Sequence, residues 1–296
     1  MKISLAQNMH SDQNDIGDVT FYIIIALSIL GTALSLMLCE AKDVKRSDGS
    51  PVLLPQSPTW KSEVKGLFET LKRDTYILLF FPMFFSSNFF YPYQFNTFNL
   101  ATFNIRTRSL NNTLYWLAEI AGSYIAGYAL DSPRLRRSLK ARIAAGVLLA
   151  LVCAVWSGAY VWQRGVNKIT ESNRIKKDFT DHGYVGPMLL YLSFGLLAAV
   201  WQTCLYWYVS TTIQNFDLIA NGKLRFLGAL TNDNRKLANF SGFYKGIQSA
   251  GGAVSFRINT LGIYSVDELI ACWVLLAASL AIAVPTIVRK VQDKVE

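Results

Sequence analysis

The sequence predicts an all-α protein that crosses a membrane several times. Its 296 residues are 52% hydrophobic and only 17% charged, and its mean hydropathy is +0.26. Seven apolar segments of about 20 residues, the length at which a helix spans ~30 Å of hydrocarbon, alternate with stretches that hold almost all of the charge. The segments lack the period-two alternation of a membrane barrel, so we expect a bundle of helices.

The seven segments are predicted as helices one to seven in chain order: 20–39, 75–96, 111–130, 143–163, 187–210, 237–258 and 268–288. A tail over 1–19 precedes the first helix, and a tail over 289–296 follows the last. The stretch 40–74 is the longest connection, and its prolines and mixed charges are typical of a linker. The chain thus divides into one lone helix, a linker, and a six-helix block over 75–288. This arrangement is how the second half of a twelve-helix transporter would look, preceded by the last helix of the first half.

The distribution of lysine and arginine predicts the orientation. The segments 40–74, 131–142, 211–236 and 289–296 hold 19 basic residues, whereas the alternate connections hold 8. Because basic residues favour cytoplasmic loops, the amino terminus is predicted to be extracytoplasmic and the carboxyl terminus cytoplasmic. The connection 164–186, with five basic residues, goes against this assignment.

Composition argues against several classes of function. The net charge of +9 comes from loop residues, which set membrane topology and do not indicate nucleic acid as a partner. The four cysteines lie in apolar segments without metal-ligand spacing, so neither a metal nor a disulfide framework is expected. We find no phosphate-binding glycine loop or hydrolase motif, and therefore expect no cofactor, no catalytic residue and no enzyme.

Two long stretches carry a family resemblance. Residues 84–116 read FFSSNFFYPYQFNTFNLATFNIRTRSLNNTLYW, and residues 232–257 read NDNRKLANFSGFYKGIQSAGGAVSFR. They resemble the seventh-to-eighth and eleventh helix regions of fungal uncoordinated-93-like (Unc-93-like) membrane proteins. The resemblance implies a major-facilitator fold of eleven or twelve helices in two pseudo-symmetric halves, of which this chain would supply about the later half.

Charged groups inside predicted helices are the first candidates for a substrate cavity. Lys245 lies about eight residues, or ~12 Å, from the cytoplasmic end of helix six, where a lysine is costly in lipid by about 2.5–3.5 kcal/mol. Gln248 and Arg257 are on the same helix, and Glu119 is the acid well inside helix three. We hypothesise that Glu119 and Lys245 form a charge pair that lines a central cavity. The alternative is a structural role, in which Lys245 extends its ammonium toward water or neutralises a neighbour.

Helix two supplies further cavity candidates in Asn88, Tyr91 and Gln94, near Pro82 and Pro92. Proline in a membrane helix frees backbone carbonyls that neighbouring groups must satisfy, and such broken helices often line binding sites. A packing kink with interfacial tyrosine and asparagine is an equal alternative.

Small residues predict close helix contacts at Gly242, Gly246 and Ala250 of helix six and at Gly122 and Ala126 of helix three. A glycosylation sequon at Asn111–Thr113 is the candidate modification site on the predicted outer side, although it lies very near the membrane.

Three functions remain open from the sequence. A transporter-like protein that moves a small organic solute is the leading interpretation. A regulatory or scaffold protein would use the same fold to bind another membrane protein, or a second copy of itself, because a half-length chain exposes the face that the missing half would cover. A membrane-embedded isoprenoid cyclase using Glu119 as its acid is less favoured, since such sites usually need more than one acid.

Overall fold

A computed structural model describes residues 18–37, 75–167, 176–220, 229–291 and 293, together with Thr59, Lys61, Lys65, Phe68 and Lys72. Side chains are described at those five isolated positions, over 22–37, 75–166, 176–211 and 240–291, and at 293. Residues 1–17 of the predicted tail over 1–19, and most of the predicted linker over 40–74, lie outside the described residues.

The predicted all-α membrane fold is confirmed. Its helices are α1 (Asp18–Ser35), a helix in three segments (Thr75–Phe80, α2 at Phe81–Ser86, and Tyr93–Leu100), α3 (Ile105–Asp131), α4 (Arg137–Asn167), α5 (Val185–Ala220), α6 (Ala229–Thr260) and α7 (Ser265–Lys290). Most helices extend beyond their predicted ends, because the apolar pattern marks only the part that lies in hydrocarbon. Among the described residues the one extended pairing is an isolated bridge between Phe103 and Lys177.

Three of the described helices are long and apolar enough to cross a membrane by length and composition: Arg137–Val166, Val185–Thr211 and Ser265–Lys290. Tyr22–Ser35 and Thr75–Ser86 are shorter apolar helices. α3 and α6 are long but carry more polar side chains, and these are the helices that hold the charged candidate residues. In a membrane bundle such polar helices are expected to face other protein or water.

The second predicted helix is broken, which corrects the prediction of one continuous helix over 75–96. It begins as a 3₁₀-helix (Thr75–Phe80), continues as α2, turns at 87–90 and resumes as a π-helix (Tyr93–Leu100). Pro82 lies in the first turn of α2 and Pro92 directly precedes the π-helix. Each proline lacks a backbone N–H, so a regular α-helix is interrupted there. We call the whole of Thr75–Leu100 the broken helix.

The broken helix lies in the middle of the six-helix block. α2 packs against α6 and α7, whereas the π-helix contacts α3, α5 and α7. Residues at the turn between these two segments can therefore reach α3 and α5 on one side and α6 on the other. This position determines the candidate site.

α3 and α5 approach each other closely at small residues, among them Gly122 and Ala126. A Cβ atom on Gly122 would lie 3.1 Å from the carbonyl oxygen of Leu196 and 3.2 Å from the Cβ of Ala199. Ala126, one turn further along α3, is buried. The absence of larger side chains on this face permits the contact.

The small residues of α6 divide into two groups. Gly251 and Gly252 lie against Phe85 and Asn88 of the broken helix, close enough that a Cβ on Gly251 would overlap the Phe85 carbonyl oxygen. The predicted packing positions lie on another face: Gly242, Gly246 and Ala250. A Cβ on either of these two glycines would meet nothing within 4 Å in the described part of the chain, and Ala250 is exposed. We call this second surface the open face of α6.

Candidate functional site

One hydrogen-bond chain links α6 to the turn of the broken helix. Lys245 Nζ donates to Gln248 Oε1 at 2.8 Å, and Gln248 Nε2 donates to Asn88 Oδ1 at 2.9 Å. Lys245 and Gln248 are three residues apart on α6 and so lie on the same side of that helix. Gln248 is 3% exposed, whereas Lys245 is exposed. The buried amide thus holds the ammonium at the surface of the block.

A second hydrogen-bond chain begins one turn later on the broken helix and reaches α3. Tyr91 OH donates to Glu119 Oε1 at 3.2 Å and accepts from Gln202 Nε2 of α5 at 3.3 Å. The backbone N–H of Tyr91 donates to the carbonyl of Asn88, so the two chains start within a single turn. The broken helix therefore places a lysine and a glutamate on either side of one short segment.

Glu119 and Lys245 do not form the charge pair we hypothesised. The structure gives Glu119 a neutral phenol as its partner and Lys245 a neutral amide, and neither residue takes part in an ion pair among the described residues. Two aromatic rings complete the surroundings of Lys245, whose Nζ lies 5.2 Å from the ring centre of Tyr244 and 5.6 Å from that of Tyr206. Both charges remain available to a third group.

Two other sequence candidates lie outside this cluster. Gln94 is buried and accepts a hydrogen bond from Tyr115 OH at 2.7 Å, in the interior of the block. Arg257 is exposed in the last turn of α6. The structure therefore brings together Lys245, Gln248, Asn88, Tyr91 and Glu119, which we call the polar cluster.

Sequence reasoning missed Gln202, Tyr206 and Tyr244 as neighbours of the polar cluster. Gln202 carries the signal that could have revealed it, because it is the single amide of the apolar span Val185–Thr211, where polar groups usually face a partner. The two tyrosines offered no such signal, since tyrosine is common in membrane helices.

The structure places the sequon residue Asn111 in the interior. Its side chain is fully buried, accepts a hydrogen bond from Tyr184 OH at 2.7 Å and donates to Asn99 Oδ1 at 3.5 Å. The folded protein leaves no room for a glycan on this nitrogen, which argues against modification of Asn111.

We therefore expect Asn111 to be free of glycan when the chain is made in a eukaryotic secretory membrane. Treatment with an endoglycosidase should leave its electrophoretic mobility unchanged and equal to that of Asn111→Gln. A mobility shift that Asn111→Gln abolishes would contradict the buried position.

A clamp at the predicted outer end fixes the start of α3 to the connection before α5. Asp178 accepts from Asn104 Nδ2 at 2.6 Å and pairs with Arg106 at 3.0 Å. Burial alone would raise the pKa of the Asp178 carboxyl, but hydrogen bonds from Asn104 and Thr180 and the charge of Arg106 outweigh it, so that this pKa falls from 3.8 to about 2. We call Asn104, Arg106 and Asp178 the loop clamp.

A cavity of about 540 Å³ lies at the opposite, predicted cytoplasmic end. Arg136, Arg137 and Lys140 line it, together with the carboxylate of Asp293. Lys140 Nζ donates to the carbonyl of Ser132 at 3.0 Å, beyond the end of α3, and Asp293 accepts from the backbone N–H of Ser138 at 3.0 Å, in the first turn of α4. These contacts match the dipoles of the two helix ends, which gives Lys140 and Asp293 a structural role.

Comparison with curated proteins reveals relatives over nearly the whole chain. The chain is 42% identical over 292 residues to an UNC93-like protein of Schizosaccharomyces pombe, an alignment that covers 98% of this chain and 54% of that protein. It is 35% identical over 278 residues to UNC93-like proteins 1 and 2 of Arabidopsis thaliana, with 91% of this chain and 55% of each relative covered. The chain therefore spans about half the length of the curated relatives it matches. No family model and no solved structure matches it.

Proposed function

Because this chain belongs to the UNC93-like membrane proteins, we propose that its polar cluster is the binding site of a small organic solute that the protein moves across the membrane. The observation that carries this proposal is the pair of opposite charges, Lys245 and Glu119, each held by a neutral partner and not by the other. Ionisable residues inside a membrane bundle commonly mark substrate or ion pathways.

The chemistry of the cluster indicates the class of solute. The Lys245 ammonium would donate to a carboxylate, while the Glu119 carboxylate would accept from an amine or a hydroxyl group. The rings of Tyr206 and Tyr244 beside Lys245 would shield this contact from water and strengthen it. A small amino acid or hydroxy acid carries both kinds of group.

The polar cluster occupies the turn of a broken helix, and this supports a role in transport. Asn88 in the turn at 87–90 and Tyr91 directly after it are held to α6, and to α3 and α5, by side-chain hydrogen bonds. A solute that binds Glu119 or Lys245 would compete with the present hydrogen-bond partner of that residue and so weaken these bonds. Binding would then change the fit of the broken helix against its neighbours, as alternating access requires.

The binding part of this proposal can be tested on the chain in lipid nanodiscs. We expect amino or hydroxy acids from a small panel to raise its thermal unfolding temperature. Lys245→Met and Glu119→Gln should each weaken that binding about tenfold or more, since a hydrogen bond to a charged group contributes roughly 1.5–3 kcal/mol. Arg257→Gln, on the same helix but outside the cluster, should bind as the parent does.

Equal effects of Lys245→Met and Arg257→Gln would contradict the site, as would a panel in which no compound raises the unfolding temperature. A compound that passes this test should then accumulate in proteoliposomes that contain the protein. Binding without accumulation would contradict transport while leaving the site in place.

The open face of α6 favours a second function, that of a regulatory chain that acts through another membrane protein. Helix faces built of small residues let a partner helix approach closely, and here nothing described occupies that surface. Under this function Gly246→Trp would block association in native membranes without unfolding the chain, whereas Lys245→Met would leave association unchanged.

A further inference from the structure

A buried carboxylate lies in the block away from the polar cluster. Glu268, the fourth residue of α7, is 4% exposed. Its Oε2 accepts from Thr97 Oγ1 of the π-helix at 2.6 Å, and its Oε1 accepts from Asn259 Nδ2 of α6 at 3.0 Å. One carboxyl group thus joins three elements.

Further hydrogen bonds close these groups into a ring. Asn259 Nδ2 also donates to Thr97 Oγ1 at 3.1 Å, and Asn96 Nδ2 donates to Asn259 Oδ1 at 3.0 Å. All the partners of Glu268 are therefore neutral hydroxyl or amide groups. We call Asn96, Thr97, Asn259 and Glu268 the carboxyl ring.

No basic residue of the described part of the chain forms an ion pair with Glu268. The titratable groups that interact with it are Tyr93 of the π-helix and Cys272 of α7, a phenol and a thiol that are ordinarily neutral at pH 7. Arg257 of α6 and Asp267 of α7 are both exposed. A charged carboxylate in this position would have no compensating cation, and burial of such a charge is costly enough that the group binds a proton instead.

The hydrogen bonds within the carboxyl ring can be arranged for either protonation state of Glu268. In the charged state, Thr97 and Asn259 donate to the two carboxylate oxygens. In the neutral state, the proton on Oε2 is donated to Thr97 Oγ1, and the threonine hydroxyl turns its own hydrogen away. Thr97 Oγ1 has two lone pairs, so it can accept from Glu268 and Asn259 together.

We propose that Glu268 is a proton-binding site, and that its occupancy sets how tightly the π-helix packs against α6 and α7. With the proton bound, the ring is neutral and stays dry. When the proton leaves to water at the nearby end of α7, ~5 Å along the helix axis, the remaining charge must be hydrated. Water entry then loosens the three elements. This inference does not rest on the proposed solute site, because it concerns other residues and needs no solute.

Infrared difference spectroscopy of the chain in nanodiscs tests the proton directly. We expect a carbonyl stretch of a protonated carboxylic acid that is present near pH 5 and lost on titration to higher pH. Glu268→Gln should abolish it, and the neighbouring exposed variant Asp267→Asn should retain it. Thr97→Val keeps the carboxyl group but removes its hydroxyl partner, so it should shift the band, whereas Thr97→Ser should not.

Thermal unfolding supplies the second measurement. A native state that binds one more proton than the unfolded chain loses stability as the pH rises, so we expect the parent to unfold at lower temperature near pH 8 than near pH 5. Glu268→Gln, which mimics the neutral acid, should lack this contribution, and Asp267→Asn should keep it.

Two outcomes would overturn the proposal. One is a carboxylic acid band that survives in Glu268→Gln or that never appears between about pH 5 and about pH 8. The other is a pH dependence of unfolding that is identical in Glu268→Gln and the parent. If Glu268→Gln fails to fold, the comparison of Thr97→Val with Thr97→Ser decides, because both leave the carboxyl group in place.

Discussion

Replacement of Gly251 by leucine is expected to prevent the six-helix block from folding. A Cβ at this position would overlap the carbonyl oxygen of Phe85 and lie 2.9 Å from its carbonyl carbon. The obstacle is backbone, so α2 and α6 would have to separate. Forcing extra side-chain volume into a packed contact destabilises a protein by about 1–3 kcal/mol, and occasionally by more. Because the overlap here is with backbone, we expect a cost at the upper end, and most of the chain should elute as aggregate in fluorescence-detected gel filtration.

Gly246→Leu is the matched control, one and a half turns earlier on the same helix. Nothing in the described part of the chain lies within 4 Å of a Cβ built there. Leucine also favours a helix over glycine by roughly 0.5–1 kcal/mol, so this variant should elute and unfold like the parent. Similar behaviour of the two variants would show that α2 and α6 do not meet at Gly251.

Replacement of Asp178 by alanine is expected to release the connection before α5. The change removes the acceptor for Asn104, Thr180 and Arg106. Hydrogen bonds to a charged group contribute about 1.5–3 kcal/mol each when shielded, and exposure reduces this, so we expect a net loss of roughly 2 kcal/mol. Hydrogen exchange should show about 30-fold lower protection of the amides of Lys177 and Phe179.

The pH dependence of the loop clamp follows from the lowered pKa of Asp178. The contribution of this carboxylate is fully present above about pH 4 and is lost as the pH falls from 3.8 toward about 2. At neutral pH, Asp178→Asn should show the same lowered protection of the Lys177 and Phe179 amides that the parent shows near pH 2. His182→Ala, an exposed change in the same connection, should keep the parent's protection, and an equal loss in His182→Ala would show that the clamp is not specific.

The helices could be predicted from sequence, because the thickness of the bilayer fixes the length of apolar segments. The shape of the second helix could not. Pro82 and Pro92 indicate an interruption, but neither specifies that the chain resumes as a π-helix. That π-helix has more residues per turn, which changes the face on which later side chains lie. Gln94, in the first turn of this segment, lies in the interior, although it is only three residues beyond Tyr91.

Five of the seven predicted cavity residues lie in the polar cluster. Polar side chains in a membrane bundle contact one another because exposure to lipid is costly. The predicted charge pair of Glu119 with Lys245 was wrong, since helix depth alone does not show that two side chains meet.

Glu268 was not among the predicted site residues, for a different reason. The apolar pattern placed the start of helix seven at residue 268, where an acid reads as an ordinary first-turn residue, but α7 begins at Ser265 and packs that acid inside.

The polar composition of α6 constrains how the chain enters the membrane during synthesis. A segment that contains Lys245 and Gln248 partitions poorly into lipid by itself. The acceptor for Gln248 is Asn88, 160 residues earlier in the chain, so the broken helix is already made when α6 emerges. α6 is therefore expected to insert by docking onto earlier helices and not by independent transfer from the translocon.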